Sequence, residues 1–270
     1  MTLPHASAGL SSNPDSHETN DGGSAVLDEV VLVVGLGEVG GPLLNILSRS
    51  YQCIGVDIAP VEISRKCSVL HLCIPYQVRD FTRISCEYIA KYNPECTVVN
   101  STVAPGTTEA IAERSGAHVA YSPVRGKHAK MEADMLRYRK FVGAKDPKVL
   151  DTVIQHFGGA GFKTDRFRTP RIGEVSKLLE TTWLGMLVSW AQEIERLAEN
   201  YGATYDEVNA YIEEIDFLPH VFPGVIGGHC IMPNIEILRD ALQSDFLDVI
   251  VSGNQRKIDD MKLRAERMRA

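Results

Sequence analysis

The chain has 270 residues, of which 44% are hydrophobic and 23% are charged. This is ordinary globular composition, and the length suffices for one large or two modest domains. The net charge is −7, and Lys and Arg are spread along the chain apart from a group near its C-terminus. These features argue against a dedicated nucleic-acid-binding protein.

The cysteines and the apolar runs indicate the compartment. No apolar run approaches the ~20 residues that a membrane span needs, so we expect no membrane partner. The six cysteines fall at no spacing typical of metal ligands. They are Cys53, Cys67, Cys73, Cys86, Cys96 and Cys230. We therefore expect free thiols, no bound metal and a cytoplasmic, reducing environment.

Residues 1–27 are rich in Ser, Gly, Asn, Asp and His. They contain neither the basic stretch nor the apolar stretch of a secretory signal peptide. Such a segment buries too little apolar surface to fold, so we predict a disordered tail.

The first predicted strand leads into a glycine-rich turn. Val30–Val34 is a continuous apolar run, typical of a strand buried on both faces of a parallel sheet. A GxGxxG turn follows at 35–40 and opens a helix over 42–47. A second strand, Cys53–Val56, ends at Asp57, about 20 residues beyond the glycines, as a dinucleotide-binding fingerprint requires.

The fingerprint predicts a dinucleotide on the N-terminus of the first helix. Asp57 would accept hydrogen bonds from the ribose hydroxyls. Because Ile58 and Ala59 follow it, where an Arg would favour a 2′-phosphate, we expect NAD and not NADP. A sheet of this kind that binds no dinucleotide is the alternative. The turn residues assigned to the cofactor are Gly35, Leu36, Gly37, Val39 and Gly40.

Further strands are predicted at 69–74, 97–100, 118–121 and 140–143, with a short one ending near Thr164. The strands alternate with helices, so we predict an α/β, Rossmann-like, doubly wound parallel sheet over residues 28–168. The first three of these strands end in Pro75, in Ser101 and Thr102, and in Ser122-Pro123. Ligands bind at this edge in such folds, so Pro75, Ser101 and Thr102 are candidate cofactor contacts. Ser101 and Thr102 also suit helix capping.

From 172 to 201 the apolar period becomes helical, with Trp183 and Trp190 in a broad stripe. A core helix, a helix between lobes and a dimer face are all consistent with it. Shorter helices are predicted from Thr204, over 235–242 and over 246–270. Residues 169–270 are therefore predicted to form an α-helical domain built on one long helix.

The stretch Pro223–Pro233 contains three glycines within five residues, followed by a thiol two positions after the last glycine. Glycines allow a backbone to turn sharply or to pack closely against a ligand, and Cys230 follows them closely. Such a loop can present a nucleophile. The alternative is a turn that carries a buried structural cysteine.

Five motifs occur in one order: GxGxxG at 35–40, Ser-Thr-Val-x-Pro-Gly-Thr-Thr at 101–108, Tyr-Ser-Pro at 121–123, Glu-x-x-Lys-Leu at 174–178 and Gly-Gly-His-Cys-Ile at 227–231. Over residues 30 to about 260 the chain resembles the UDP-glucose/GDP-mannose dehydrogenase family of NAD-dependent nucleotide-sugar 6-dehydrogenases. The resemblance implies a cytoplasmic, homodimeric oxidoreductase of polysaccharide biosynthesis, with the 172–201 helix as its dimer interface.

In that family a sugar C6 alcohol is oxidised to a carboxylate in two hydride transfers to NAD, with a thiohemiacetal and a thioester on a cysteine. The resemblance implies that Cys230 is this nucleophile, that Lys177 stabilises the oxyanion, and that Thr102 positions water or cofactor. His229 is expected to be structural or to contact the substrate, since adjacent side chains usually diverge. The substrate-contact set expected from the resemblance is Arg125, Thr181, Gly227, His229 and Asn234.

The chain also departs from the family's pattern. Val124 stands where the family has a glutamate base, Thr181 where it has an asparagine, and Asn234 where it has an aspartate. Neither Val124 nor Asn234 can take up a proton, which puts the hydrolytic half-reaction in doubt. Glu132, Asp134 and Glu174 are the candidate replacements for the lost base.

The resemblance also implies a truncated member, since the family continues into a further nucleotide-sugar-binding domain. We therefore expect a different or smaller small-molecule substrate, or a partner chain that supplies the missing surface. Three functions remain open from the sequence. The first is oxidation of a sugar-like or sugar-nucleotide alcohol or aldehyde through Cys230 and Lys177. The others are a two-electron hydroxy-acid-type dehydrogenase that uses Lys177 alone and a non-catalytic NAD-binding regulatory subunit.

Overall fold

The computed structural model describes residues 29–59 and 61–269, so the predicted tail over 1–27 lies outside the described residues. The strands are β1 (Glu29–Val34), β2 (Cys53–Val56), β3 (Lys66–Leu72), β4 (Cys96–Val99), β5 (Val119–Tyr121), β6 (Lys140–Ala144) and β7 (Thr164–Arg166). The helices are α1 (Gly40–Leu47), α2 (Phe81–Tyr92), α3 (Thr107–Ser115), α4 (Met131–Arg137), α5 (Pro147–Gly159), α6 (Pro170–Asn200), α7 (Tyr205–Glu213), α8 (Ile231–Ala241) and α9 (Asp245–Arg267).

The strands form one sheet in the order β2-β1-β3-β4-β5-β6-β7. Strands β2, β1, β3, β4 and β5 are parallel, which confirms the predicted α/β fold. The predicted parallel sheet departs from that pattern only at its far side, where β6 runs antiparallel to β5 and β7 runs parallel to β6. The connection into β6 contains only the seven-residue α4 besides one short turn of helix. A helix about 10 Å long does not carry the chain back along the sheet for a parallel return.

Strand β1 lies at the centre of two apolar cores because its side chains alternate between the faces of the sheet. Val31 and Val33 pack on one face with α1, α4 and α5. Leu32 and Val34 pack on the other face with α2 and α3. Burial on both faces is what the continuous apolar run in the sequence predicted.

Helix α6 carries the third core. It has 31 residues, and the hydroxyl of Thr169 caps its start by accepting from the amide of Ile172. Leu178 packs against α8 and α9 in a cluster separate from the sheet. A Cβ on Gly185 would lie 2.9 Å from the Cγ2 of Ile231, so α6 and α8 are in close contact there. The division into domains at residue 168 stays a prediction.

Part of α6 bears large apolar side chains that the described chain leaves uncovered. Trp183 is 63% exposed and Trp190 is 60% exposed, and Leu179, Leu184 and Leu197 are also exposed. The predicted apolar stripe is thus divided, with Leu178 in the core and both tryptophans at the surface. Among the described residues, no helix is long and apolar enough to cross a membrane.

The glycine turn gives a direct test of the fold. Gly40→Ala is expected to destabilise the protein by about 3 kcal/mol or more, because the new Cβ would lie 1.7 Å from the carbonyl oxygen of Gly35. Gly37→Ala is the matched control, since a Cβ there meets no atom within 4 Å. Its unfolding free energy should stay within about 0.5 kcal/mol of wild type. Urea denaturation measures both, and equal stability of the two variants would contradict the packing described here.

Candidate functional site

The glycine turn lies at the carboxyl end of β1, between the ends of β2 and β3. The strand order reverses here, which in doubly wound folds is where a ligand binds. Gly35 has φ +86°, and a Cβ there would lie 2.9 Å from the carbonyl of Cys73. Asp57 is exposed directly after β2. The predicted cofactor residues of the first two strands are thus at one edge of the sheet.

The residues present fit a dinucleotide. Nothing of the described protein lies within 4 Å of a Cβ placed on Gly37, so a ligand has access to the backbone there. Leu36 and Val39 are half-buried and pack against the core under the turn. Asp57 would hold the ribose hydroxyls and the amides at the start of α1 would hold the pyrophosphate.

The segments after β3 and β4 lie at the same edge of the sheet, where a hydrogen bond of Ser101 joins them, and contact of Ser101 with the cofactor stays a prediction. Its hydroxyl donates to the carbonyl of Ile74 at 2.6 Å, so it joins the end of β4 to the end of β3. The expectation that Ser101 caps a helix is therefore wrong. Pro75 is exposed and Thr102 is half-buried beyond these ends. Their contact with cofactor stays a prediction.

Three elements converge on Cys230. The thiol belongs to the N-cap residue of α8 and is exposed. Partial burial raises its pKa, the ammonium of Lys177 on α6 lowers it, and the carboxylate of Glu38 in the glycine turn raises it. The side chain of Lys177 is 13% exposed, and its Nζ lies 2.7 Å from Oε2 of Glu180. The predicted nucleophile, the predicted lysine and the glycine turn thus lie close enough for their charges to act on one another.

Buried amides hold the segment that leads to Cys230. Oδ1 of Asn254 on α9 accepts from the amide of Ile226 at 2.7 Å, and its Nδ2 donates to the Ile226 carbonyl at 3.0 Å. Gln192 on α6 donates to the carbonyl of Gly224 at 2.7 Å. These bonds fasten the loop to α6 and α9 a few residues before the thiol. Side chains of both helices therefore fix the path of the backbone that leads to Cys230.

Two of the departures from the family's pattern contact each other. Nδ2 of Asn234 donates to Oγ1 of Thr181 at 3.3 Å. The Thr181 hydroxyl in turn donates to the carbonyl of Leu178 at 2.9 Å. Asn234 is buried in the first turn of α8, one turn beyond Cys230. The pair links α6 to α8 beside the site, and neither side chain is a proton acceptor at neutral pH.

The other expected substrate residues are more dispersed. Gly227 and His229 are exposed on the loop before α8. Arg125 lies over the ring of Phe141, 5.0 Å from its centroid. Val124 is buried in the apolar core beside the sheet. Substrate contact by Gly227, His229, Arg125, Thr181 and Asn234 stays a prediction.

The three candidate replacement bases are engaged in structural bonds. Glu132 accepts from Asn45 and Arg49 and joins α4 to α1. Asp134 accepts from the amide of Lys127. Glu174 is fully buried and accepts from the amide of Gly106 at 2.5 Å and from the amide and hydroxyl of Thr108 at 2.8 and 2.6 Å.

Burial raises the pKa of Glu174, and the three bonds oppose the rise. Each of these three carboxylates accepts structural hydrogen bonds, and replacement of the lost base by one of them stays a prediction.

A buried lysine lies below the site, and no pattern in the sequence indicates it. Lys140 is 4% exposed, and its Nζ donates to the carbonyls of Ser122 at 2.9 Å and Pro123 at 3.2 Å. It also donates to Oδ1 of Asn100 at 3.3 Å. A lysine that starts a strand is ordinarily solvated, and its partners lie 17 to 40 positions away in the chain, so no local pattern marks it.

Part of the chain matches a known sequence profile. Residues 171–260 match the sequence profile described as "UDP-glucose/GDP-mannose dehydrogenase family, central domain". The resemblance to this family is confirmed. The matched segment contains Lys177 and Cys230. A comparison with curated protein sequences finds no match.

Solved structures show the same fold. A UDP-D-ManNAc dehydrogenase from Pyrococcus horikoshii superposes with a TM-score of 0.75 at 18% identity, over 84% of this chain and 68% of its own. A UDP-N-acetyl-mannosamine dehydrogenase from Staphylococcus aureus gives 0.70 at 17%, over 88% and 70%. The 3-hydroxyisobutyrate dehydrogenase of Mycobacterium tuberculosis gives 0.62 at 14%, over 86% and 92%. At these identities the likeness establishes the fold alone.

The environment of Cys230 predicts opposite effects of its two charged neighbours. Lys177→Met should raise the pKa of the thiol further and slow its alkylation at pH 7.5, because the positive charge that stabilises the thiolate is lost. Glu38→Gln should lower the pKa and accelerate alkylation. Iodoacetamide rates, followed for the Cys230 peptide by mass spectrometry, measure both. Equal rates in both variants would show that neither charge acts on the thiol.

Proposed function

We propose that this protein is an NAD-dependent dehydrogenase that oxidises an alcohol or aldehyde of a sugar-like or sugar-nucleotide substrate, with Cys230 as nucleophile and Lys177 as oxyanion stabiliser. The observation that carries the proposal is the convergence on one thiol. Lys177 and Glu38, from the long helix and from the glycine turn, both act on Cys230 at the carboxyl edge of the sheet. The match over 171–260 and the shared fold support the same function.

NAD, when bound, accepts a hydride from the carbon that is oxidised. Gly35, Gly37, Gly40 and Asp57 would hold it at the edge where the strand order reverses. The alcohol loses its hydroxyl proton to solvent as the carbonyl forms. The ammonium of Lys177 stabilises negative charge on that oxygen, and in a site shielded from water this interaction is strong.

Cys230 then acts on the aldehyde. Its sulfur bonds to the carbonyl carbon, the C=O bond becomes a C–O single bond, and the thiol proton passes to the oxygen, which gives a thiohemiacetal. The raised pKa keeps Cys230 largely protonated at neutral pH, so Lys177 serves to offset the effect of burial. The N-terminus of α8 adds a favourable dipole at the sulfur.

The hydrolytic half-reaction is not included in the proposed function. Thr181 and Asn234 bond to each other, and neither abstracts a proton from water. The proposed turnover is therefore the cytoplasmic oxidation of a CH–OH group. Oxidation of an aldehyde ends at a thioester on Cys230, which forms when the thiohemiacetal carbon gives up a hydride and its hydroxyl gives up a proton. The proposed reaction is also consistent with a partner chain that supplies substrate-binding surface.

A two-electron dehydrogenase for a small hydroxy acid, using Lys177 alone, is the second candidate. The observation that favours it is the superposition with the 3-hydroxyisobutyrate dehydrogenase, which extends over 92% of that chain. The replacement of acids by Val124 and Asn234 is consistent with a reaction that needs no water. A non-catalytic NAD-binding subunit is the function that remains if neither reaction occurs.

Calorimetric titration with NAD and NADP, followed by NADH formation on UDP-, GDP- and free sugars and on hydroxy acids, separates the candidates. We expect NAD to bind and NADP to bind at least about tenfold more weakly, since Asp57 repels a 2′-phosphate. Lys177→Met should reduce turnover at least about 100-fold in either dehydrogenase. Cys230→Ala should abolish aldehyde oxidation in the first candidate and leave hydroxy-acid turnover within about twofold in the second.

Three outcomes of this experiment are decisive. Folded protein without NAD binding would contradict the proposal outright. NAD binding without turnover on any substrate of the panel would favour the regulatory subunit. Turnover that survives Cys230→Ala with one NADH per substrate would select the hydroxy-acid reaction.

The exposed face of α6 further supports a homodimer through residues 172–201. An uncovered apolar surface with two large aromatic side chains is typical of an interface. Trp183→Glu combined with Trp190→Glu should convert a dimer into a monomer in analytical ultracentrifugation at micromolar concentration. Arg196→Glu, which changes charge on the same helix without removing apolar surface, is the control. A dimer that persists in the double variant would refute this interface.

A further inference from the structure

Lys140 is a buried cation that the chemistry proposed for Cys230 and Lys177 does not include. It begins β6, and its ammonium group has three acceptors, the carbonyls of Ser122 and Pro123 and the side chain of Asn100. The ring of Phe157 lies 4.9 Å from Nζ on the α5 side. A buried ammonium is strongly disfavoured without such partners, so this arrangement depends on all of its bonds.

The acceptors come from two neighbouring strand ends. Asn100 directly follows β4, and Ser122 and Pro123 directly follow β5. Thr102 lies two residues beyond Asn100, and Arg125 lies two residues beyond Pro123. One ammonium group therefore spans the two segments that carry a proposed cofactor residue and a proposed substrate residue.

Asn100, in the segment after β4, also contacts Val98 and His71. Asn100 donates to the carbonyl of Val98 at 3.1 Å, and its Nδ2 lies 3.2 Å from Nδ1 of His71. Nε2 of His71 lies 3.0 Å from Nε2 of His156 on α5. The side chain of Asn100 is thus held from both sides, and its Oδ1 points at Lys140. Removal of Lys140 takes away the donor that this oxygen and the two carbonyls share.

We propose that Lys140 is a positioning residue of the candidate site, whose side-chain nitrogen donates the hydrogen bonds that hold the segments after β4 and β5 where Thr102 and Arg125 are needed. The consequence for ligand binding rests on the proposed function. The consequence for the two segments does not, because it follows from the hydrogen bonds alone.

The charges around Lys140 give it a distinct signature. The groups that face it are Cys73 after β3, Lys177 on α6 and Arg125 after β5, with His71 and His156 behind Asn100. Burial lowers the pKa of Lys140 to about 7, Cys73 opposes this, and Lys177 and Arg125 add to it. The unfolded chain has the ordinary lysine pKa of about 10.4. Between these values the unfolded state binds the extra proton, so this residue makes folding more favourable as pH rises from about 7 to about 10.

Amide hydrogen exchange, read by mass spectrometry, tests the proposal. Lys140→Met keeps the length of the side chain and removes its donors. We expect exchange to accelerate at least about tenfold in 100–102 and 122–125, with α9 unchanged. Lys140→Arg should accelerate it less. Lys163→Met, which replaces an exposed lysine next to β7, should leave exchange unchanged. Unaltered exchange in the two segments, or a uniform increase that includes α9, would overturn the proposal.

Two further readouts keep the test decisive. If Lys140→Met does not fold, Lys140→Arg carries the test, with selective acceleration in the same segments expected and unchanged exchange contradicting the proposal. In urea denaturation, wild type should gain stability over Lys140→Arg from about pH 7 to about pH 10, since an arginine does not titrate there. NAD affinity should fall at least about fivefold in Lys140→Met. Failure of wild type to bind NAD would reject the proposed function, and the exchange result alone would then decide the role of Lys140.

Discussion

The arrangement of the site depends on one buried carboxylate. Glu174, in the second turn of α6, accepts three hydrogen bonds at the start of α3. The amides of Gly106 and Thr108 at that helix N-terminus would otherwise lack an intrahelical partner. Because a buried carboxylate is unfavourable unless it is bonded in this way, the contact has little freedom to shift. It fixes the long helix against α3 beside the sheet, and Lys177 lies one turn further along the same helix.

The opposite side of the site is assembled by the helical half. Gly185 allows α8 to approach α6, and Asn254 holds the loop that precedes Cys230 by both backbone groups of Ile226. The thiol is therefore positioned by α6, α8 and α9, whereas Glu38 and the predicted cofactor residues of the glycine turn are positioned by β1 and β2. Catalysis by this chain would require both halves to keep their places, since each supplies a different partner of the reaction.

The features that depend on neighbouring residues were the most predictable from the sequence. The run Val30–Val34 and the following glycines specify strand, turn and helix locally, and the structure has them there. Helix α8 begins at Ile231, four residues before the predicted start at Ile235. Pro233 suggests a loop, yet proline is tolerated in the first turn of a helix. The earlier start places Cys230 at a helix N-terminus.

Other features depend on residues far apart in the chain. The antiparallel entry of β6, the bonds of Glu174 and the burial of Lys140 all involve partners that no local pattern connects. Residue type even argues against burial of Glu174 and Lys140, since Glu and Lys are rarely buried. The motif Glu-x-x-Lys-Leu marks Glu174 and Lys177 as a pair, but only the hydrogen bonds show that Glu174 is the structural member.

The glycine turn and Cys230 should behave as one site. The alkylation rate of Cys230 with and without saturating NAD measures this most directly. Cys86 on α2, a half-buried thiol bonded to the carbonyl of Ile111, serves as the internal reference. Peptide mass spectrometry follows both thiols. We expect NAD to slow alkylation of Cys230 at least about fivefold relative to Cys86, because the cofactor occupies the space beside Glu38. An unchanged ratio with NAD bound would show that the thiol and the cofactor belong to separate sites.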